Sequence, residues 1–228
     1  GSDAERASDL ELMLDDPSIK AIWFARGGFG AMRMMDRIDW TQFKRHPKWL
    51  IGYSDLTAFH CHVQSQLGIP TIHGDMAISF KTEDDASTLS LQNVLKGERI
   101  AYSTTPHPQN RMGQATGILV GGNLSIVSAM LGSKSAIDTK GKILFLEEVS
   151  EYKYSIDRMM LSLKRAGMLD ELAGMVIGGM TAIKADSEAS YPATVEEIIF
   201  EKVKDYNYPV CFNFPSGHLS NNHALKLG

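Results

Sequence analysis

The chain reads as an α/β protein: a layered, mostly parallel-sheet N-terminal domain and a smaller mixed α/β C-terminal domain, with the expected site in the cleft between them. Three observations carry this reading. Short apolar runs alternate with stretches of helical periodicity, as strands of a parallel sheet alternate with the helices that cover it. The runs end at glycine, serine or acidic residues, which are turn and cap signals. A polar stretch over 81–114 interrupts the alternation and separates residues 1–80 from 115–228 as a connection.

Taken in order, Asp3 to Leu14 has apolar residues at helical spacing among many charges and is expected to form an amphipathic helix. Ile19 to Ala25 is a short apolar run expected as a buried strand, followed by a tight loop, Arg26-Gly27-Gly28-Phe29-Gly30. Ala31 to Ile38, with Met32, Met34 and Met35, reads as a helix with methionines as core filler. Trp49 to Tyr53 is the next strand, Ser54 a turn, and about Leu56 to Leu67 a helix closed by Gly68-Ile69-Pro70. Thr71 to Gly74 is a further short strand. From Phe80 to Gln114 polar residues dominate, and two prolines fall between Thr104 and Gln109. Thr116 to Val120 is then expected as a strand, Gly121-Gly122-Asn123 as a turn and Leu124 to Leu131 as a helix. Lys142 to Leu146 is a strand ending at Glu147-Glu148, and Tyr154 to Arg165 an amphipathic helix. Ala173 to Met180 is a strand, Thr194-Val195-Glu196-Glu197 has capping-box spacing before another helix, and Val210 to Phe214 is the last strand.

The 228 residues, 43% hydrophobic and 22% charged, suit a globular protein with an ample core. A net charge of -4 argues against nucleic acid as the main partner. No apolar run reaches membrane-spanning length and no signal peptide opens the sequence. Cys61 and Cys211 lie in apolar segments and are expected as buried free thiols of a reducing compartment. The chain opens within a helix start and stops at Leu227-Gly228 with no finishing element, so both ends read as trimmed.

Ligands of parallel α/β sheets bind outside the carboxyl ends of the strands. Four such ends carry chemistry: Arg26-Gly27-Gly28, Ser54, Glu147-Glu148 and His218. A serine at a sharp strand-to-helix turn has the logic of a nucleophile elbow, although Leu56 replaces the second glycine of G-x-S-x-G, and Ser54 or Asp55 serves equally as a helix N-cap. Its hydroxyl needs a base, for which His218 is suited, and the base needs a carboxylate, for which Glu147 and Glu148 are equal candidates by position. The glycine loop lacks phosphate-loop spacing and is more simply a turn. His60 and His62 point to different helix faces, His73 and His223 are isolated, and no cluster has zinc spacing, so no metal is expected.

Five blocks in register, Arg26-Gly27-Gly28-Phe29-Gly30, Ile51-Gly52-Tyr53-Ser54-Asp55, Gly121-Gly122-Asn123-Leu124, Leu146-Glu147-Glu148 and Pro215-Ser216-Gly217-His218, resemble the LD-carboxypeptidase family of serine peptidases, which includes the microcin C immunity proteins. The resemblance spans nearly the whole chain. It implies hydrolysis of the bond to a C-terminal D-amino acid, usually D-alanine of a murein tetrapeptide, without cofactor or metal. It implies Ser54 as nucleophile, His218 as base and Glu147, rather than Glu148, as the acid that orients it. The backbone N–H groups of Asp55 and Gly28 would form the oxyanion hole, and Arg26 and Asn123 would contact substrate, with Arg26 equally placed to brace its loop. A cytoplasmic homodimer is implied. Two other readings remain: an immunity-type amide hydrolase of peptidyl or aminoacyl adenylates, and a non-catalytic nucleotide- or peptide-binding module. The sequence departs from the family in lacking its N-terminal segment with the first strand and its short C-terminal tail, and in Phe29 and Glu148, where tyrosine and aspartate are common.

Overall fold

The computed structural model describes residues 1–82, 84–185 and 191–228. Helix α1 (Asp3–Asp15) starts at Ser2, whose hydroxyl accepts from the Glu5 N–H while Glu5 accepts from the Ser2 N–H, a capping box. Its inner stripe is Ala7, Leu10 and Leu14. Strand β1 (Ala21–Trp23), helices α2 (Ala31–Met35) and α3 (Thr41–Arg45), strand β2 (Trp49–Gly52), helix α4 (Thr57–Leu67) and strand β3 (Thr71–His73) follow. The strands are shorter than the apolar runs because only the central residues find ladder partners: β1 pairs with β2 over Ala21, Ile22 and Trp23.

Helix α5 (Ala86–Lys96) lies inside the stretch expected as a mere connection. Asp85 caps it by accepting from the Ser87 and Thr88 N–H groups, and Gly97 ends it in the left-handed conformation. Its Leu91 and Val94 pack with Ile51, Ile72 and Ala224, covering one face of the first sheet. The inner face of this helix is itself partly polar, since Ser87 and Ser90 are buried on it while Leu89 and Leu95 are exposed.

The second half contains β4 (Leu119–Asn123), α6 (Leu124–Ala129), β5 (Ile143–Val149), α7 (Lys153–Arg165), β6 (Gly174–Thr181), α8 (Val195–Val203), β7 (Val210–Cys211) and β8 (Leu225–Leu227). Three expectations are corrected here. Gly121-Gly122-Asn123 is the end of β4 rather than a turn, because these residues pair in parallel with Phe145, Leu146 and Glu147. Glu147 and Glu148 lie within β5 rather than past it. Leu225–Leu227, read as carrying no element, form β8, which pairs antiparallel with β3 and joins the first sheet. The order β1-β2-β3-β8 makes that sheet mixed, and the order β4-β5-β6-β7 makes the second all parallel. The Thr194 capping box at α8 forms as its spacing suggests.

The two sheets share a core. One cluster of buried apolar side chains runs from Ala7 and Phe43 through Phe59 to Leu144, Ile199 and Phe212. Fully burying side chains of this size contributes about 1.5–3 kcal/mol each. At the seam the Asn123 N–H donates to Thr57 Oγ1 on α4 (3.0 Å), and the Gly228 N–H to the Leu119 carbonyl (2.9 Å). Cys61 is buried and its thiol is pushed up to about 12 by burial, whereas Cys211 is only half-buried, because its strand β7 is an edge of the second sheet.

Two histidines beneath the first sheet's carboxyl end make stability pH-dependent. His60 is buried, with Nε2 2.9 Å from the Gly52 carbonyl, and burial pushes its pKa down from 6.5 to about 4 against the pull of that carbonyl. His73 is held well below 6.5 by burial and by the nearby His60 and His218. The fold keeps both neutral where the unfolded chain protonates them. Stability therefore falls as pH drops from 6.5 toward the folded values, by on the order of 3 kcal/mol for His60 alone. Urea-unfolding midpoints measured from about pH 7 to 4 should decline, and His60→Gln should flatten the decline.

Candidate active site

Strand β2 stops at Gly52, and the chain turns at once into a 3-10 turn, Ser54–Leu56, that leads into α4. Ser54 makes the turn with a φ of 63°, the left-handed region that non-glycine residues seldom occupy. Such strain at a strand-to-helix serine lifts the hydroxyl above the sheet and sets the first turn of the helix behind it. Asp55 is buried, and its Oδ2 accepts the Ala31 N–H (2.9 Å) at the start of α2. That bond ties the elbow to the end of the glycine loop. The sequence offers Asp55 as a helix N-cap or, through its backbone N–H, as an oxyanion donor; its carboxylate instead serves α2, and α4 starts without a side-chain cap.

Gly27 is the loop residue that meets the serine. A β-carbon there would stand 3.1 Å from Ser54 Cβ, 3.3 Å from Oγ and 3.5 Å from the Asp55 nitrogen. Gly28 is next along the loop, exposed, and the position of its missing β-carbon faces the Arg26 guanidinium at 3.8 Å. Arg26 is exposed and lines a groove with Arg6, Phe24, Gly27, Phe29 and Asp55.

Adjacent residues of a strand point to opposite faces, which gives the two glutamates different surroundings. Glu148 accepts from Asn123 Nδ2 (3.0 Å), the Val149 N–H (2.8 Å), and the Ser125 N–H (2.8 Å) and hydroxyl (2.6 Å). It sits at the N-terminus of α6, where the free N–H groups favour an anion. Asn123, expected to contact substrate, has its amide engaged inside the protein: Oδ1 caps α6 at the Ile126 N–H and Nδ2 serves Glu148.

Glu147 is completely buried and faces His218. Its Oε2 lies 2.7 Å from His218 Nδ1 and 3.3 Å from the His218 backbone N–H. His218 Nε2 lies 3.1 Å from Ser54 Oγ. The loop that carries His218 runs along β6: the Phe214 N–H donates to the Ile177 carbonyl, the Gly179 N–H to the Ser216 carbonyl, and Thr181 Oγ1 to the His218 carbonyl. An extra residue in β6 between Ile177 and Met180 shifts the register beside Glu147. Gly217 has a φ of 113°, and a β-carbon there would lie 2.7 Å from Glu147 Cβ, so only glycine admits the carboxylate beside the histidine. The Tyr53 ring leans on the imidazole at 4.8 Å between centroids.

Burial of His218 disfavours its charged form, but the hydrogen bond and charge of Glu147, with the charge of Glu148, outweigh it, so its pKa is raised above 6.5. A hydroxyl, an imidazole and a carboxylate in hydrogen-bonded series can pass the hydroxyl proton to the imidazole and hold the imidazolium that results. Among the described residues no group of three or more His, Cys, Asp or Glu side chains is arranged to hold a metal. No described helix is long and apolar enough to cross a membrane.

Comparison with known proteins agrees with this fold. Family models describing the LD-carboxypeptidase N-terminal domain and C-terminal domain match residues 1–74 and 116–228. A probable murein peptide carboxypeptidase of Bacillus subtilis is 34% identical, with 100% of this chain and 73% of that protein covered. The murein tetrapeptide carboxypeptidase of Pseudomonas aeruginosa is 30% identical over 100% and 76%. Among solved structures, a muramoyltetrapeptide carboxypeptidase from Oxalobacter formigenes superposes with a TM-score of 0.90 at 24% identity, covering 100% of this chain and 78% of that one. The microcin C7 self-immunity protein MccF superposes at 0.83 and 22%, over 100% and 77%. Two α/β sheets and these matches define an enzyme of the serine-peptidase class. The chain belongs to the LD-carboxypeptidase family.

Proposed function

We propose that this protein is a carboxypeptidase of murein peptides that releases the C-terminal D-amino acid, D-alanine, of a tetrapeptide through a serine nucleophile. The supporting observation is the series Ser54 Oγ, His218 Nε2, His218 Nδ1 and Glu147 Oε2, with contacts of 3.1 and 2.7 Å, reaching from the turn after β2 to β5 of the second sheet. The names of the Bacillus and Pseudomonas relatives supply the substrate class. Residues 1–80 and 115–228 are taken as the two domains, joined by 81–114.

Ser54 Oγ attacks the scissile carbonyl while His218 Nε2 takes its proton. His218 then delivers that proton to the amine of the departing D-amino acid, and water repeats the cycle on the acyl-enzyme. Glu147 fixes the tautomer with the Nδ1 proton and balances the imidazolium. The oxyanion is received by the N–H groups of Asp55 and Gly28. Such a donor is worth about 2.7–4 kcal/mol in the transition state. Arg26, exposed beside this loop, is the cation offered to the substrate's terminal carboxylate.

Incubation with a murein tetrapeptide should release free D-alanine, and the L-alanine diastereomer should be left intact. Cleavage of an aminoacyl adenylate analogue with no D-alanine release would instead identify the immunity-type hydrolase. A folded protein that a fluorophosphonate fails to label at Ser54 would point to a binding module.

A further inference from the structure

We propose that Asn222 is a positioning residue for catalysis, a latch that fixes the His218 loop to the sheet carrying Ser54. The proposal rests on the assignment of Ser54, His218 and Glu147 above.

The geometry of Ser54 and His218 raises the need for such a group. Ser54 follows a strand of the first sheet, and Glu147 lies on the second. His218 is gripped from the second sheet by Glu147 and by Thr181. Its 3.1 Å approach to Ser54 crosses the seam between the sheets. From the first sheet the Tyr53 ring meets the imidazole, a contact without a hydrogen bond, so these groups set the tilt of the ring but leave that separation to the loop.

Asn222 closes this gap with its amide and its backbone N–H. It is 1% exposed and follows His218 within the same loop. Its Oδ1 accepts the Gly217 N–H at 2.8 Å, immediately before His218, and the Ser216 hydroxyl at 3.3 Å. Its Nδ2 donates to Asp75 Oδ1 at 2.8 Å, just past β3, and its backbone N–H donates to Ser87 Oγ at 2.9 Å on α5. Asp75 is itself fixed, since its carbonyl accepts the Trp23 indole N–H at 2.6 Å. One buried residue thus joins the end of β3, and through Asp75 β1, by its side-chain amide, and α5 by its backbone N–H, to the peptide next to the catalytic histidine. An asparagine side chain suits this position because it turns an acceptor toward an N–H and a donor toward a carboxylate, a pairing that no other side chain of its size supplies. A shift of about 1 Å between reacting groups can cost about a hundredfold in rate.

The deciding experiment is Asn222→Ala in the full chain. Readouts are kcat and KM on murein tetrapeptide, the rate of fluorophosphonate labelling at Ser54, and the far-downfield proton resonance of the His218–Glu147 hydrogen bond. The expected result is a kcat about 10- to 100-fold lower, with labelling slowed in parallel and KM held within about threefold. The downfield resonance should persist, because Glu147 still grips the ring. A folded Asn222→Ala protein with wild-type kcat and labelling, or one whose loss lies in KM alone, would overturn the proposal. Should that variant fail to fold, Asp75→Ala, which leaves Asn222 Oδ1 on Gly217 but frees the other end, decides: slowed labelling supports the latch, and unchanged labelling refutes it. Failure of the wild type itself to label at Ser54 would remove the site assignment and the latch together, a result distinct from loss of the latch alone.

Discussion

Ser54→Ala is expected to abolish D-alanine release, lowering kcat by about 10⁴- to 10⁶-fold while the protein stays folded. The loss follows from the geometry: Oγ is the atom 3.1 Å from His218 Nε2, and alanine keeps the backbone turn but offers nothing to deprotonate. Stability should change little, because both serine and alanine carry a β-carbon into the left-handed φ of 63°. His218→Ala should cost a similar factor, and the double variant scarcely more than either alone. Groups that act as one unit lose their whole effect when the first is removed. Single-turnover kinetics of the two variants and their combination, with circular dichroism as the control for folding, check this. Additive losses would mean that the serine and the imidazole work separately.

Much of this arrangement is legible in the residues, and what escapes does so for physical reasons. Helices with strong local signals are readable: the α8 box at Thr194 and Glu197 needs only a three-residue spacing. Helix α5 is hidden because its buried face includes serines, Ser87 and Ser90, whose hydroxyls bond inward to the β8 approach, so that its apolar stripe is thin. Strand β8 escapes because its few residues pair with β3, far earlier in the chain, and no local pattern reports a long-range partner. At the site, Ser54 and His218 announce themselves at strand ends, but the glutamates do not sort themselves. Their difference is which face of β5 each leaves by, and alternation alone does not say which face meets the histidine loop and which meets α6. Likewise Gly27 meets Ser54 more closely than Gly28, a distinction of one peptide in a loop with three glycines. Asn222 carries no signal at all in a polar Leu-Ser-Asn-Asn-His run.

The paired glutamates yield the second large effect. Glu147→Gln should lower kcat by about 10⁴-fold, because an amide NH₂ placed at His218 Nδ1 favours the tautomer with its proton on Nε2, where the base must be empty. It should also move the pH profile. His218 must be neutral to accept the serine proton, so with its pKa raised the acid limb of kcat/KM lies above 6.5 in the wild type. Without Glu147, burial acts with little opposition and the limb should fall below 6.5. The stability consequence has the same origin: charged His218 stabilises the fold below 6.5, and this contribution is lost as pH rises through its folded value. Glu148→Gln should do the reverse of its neighbour. It disturbs a carboxylate that receives four hydrogen bonds around α6, so unfolding should become easier by about 1–3 kcal/mol while kcat per folded molecule holds within a few-fold. Measured side by side, kcat, acid limb and urea midpoint separate the two roles. A Glu148→Gln variant that loses turnover as deeply as Glu147→Gln would mean that the carboxylate on the α6 face, rather than the one 2.7 Å from the imidazole, governs the histidine.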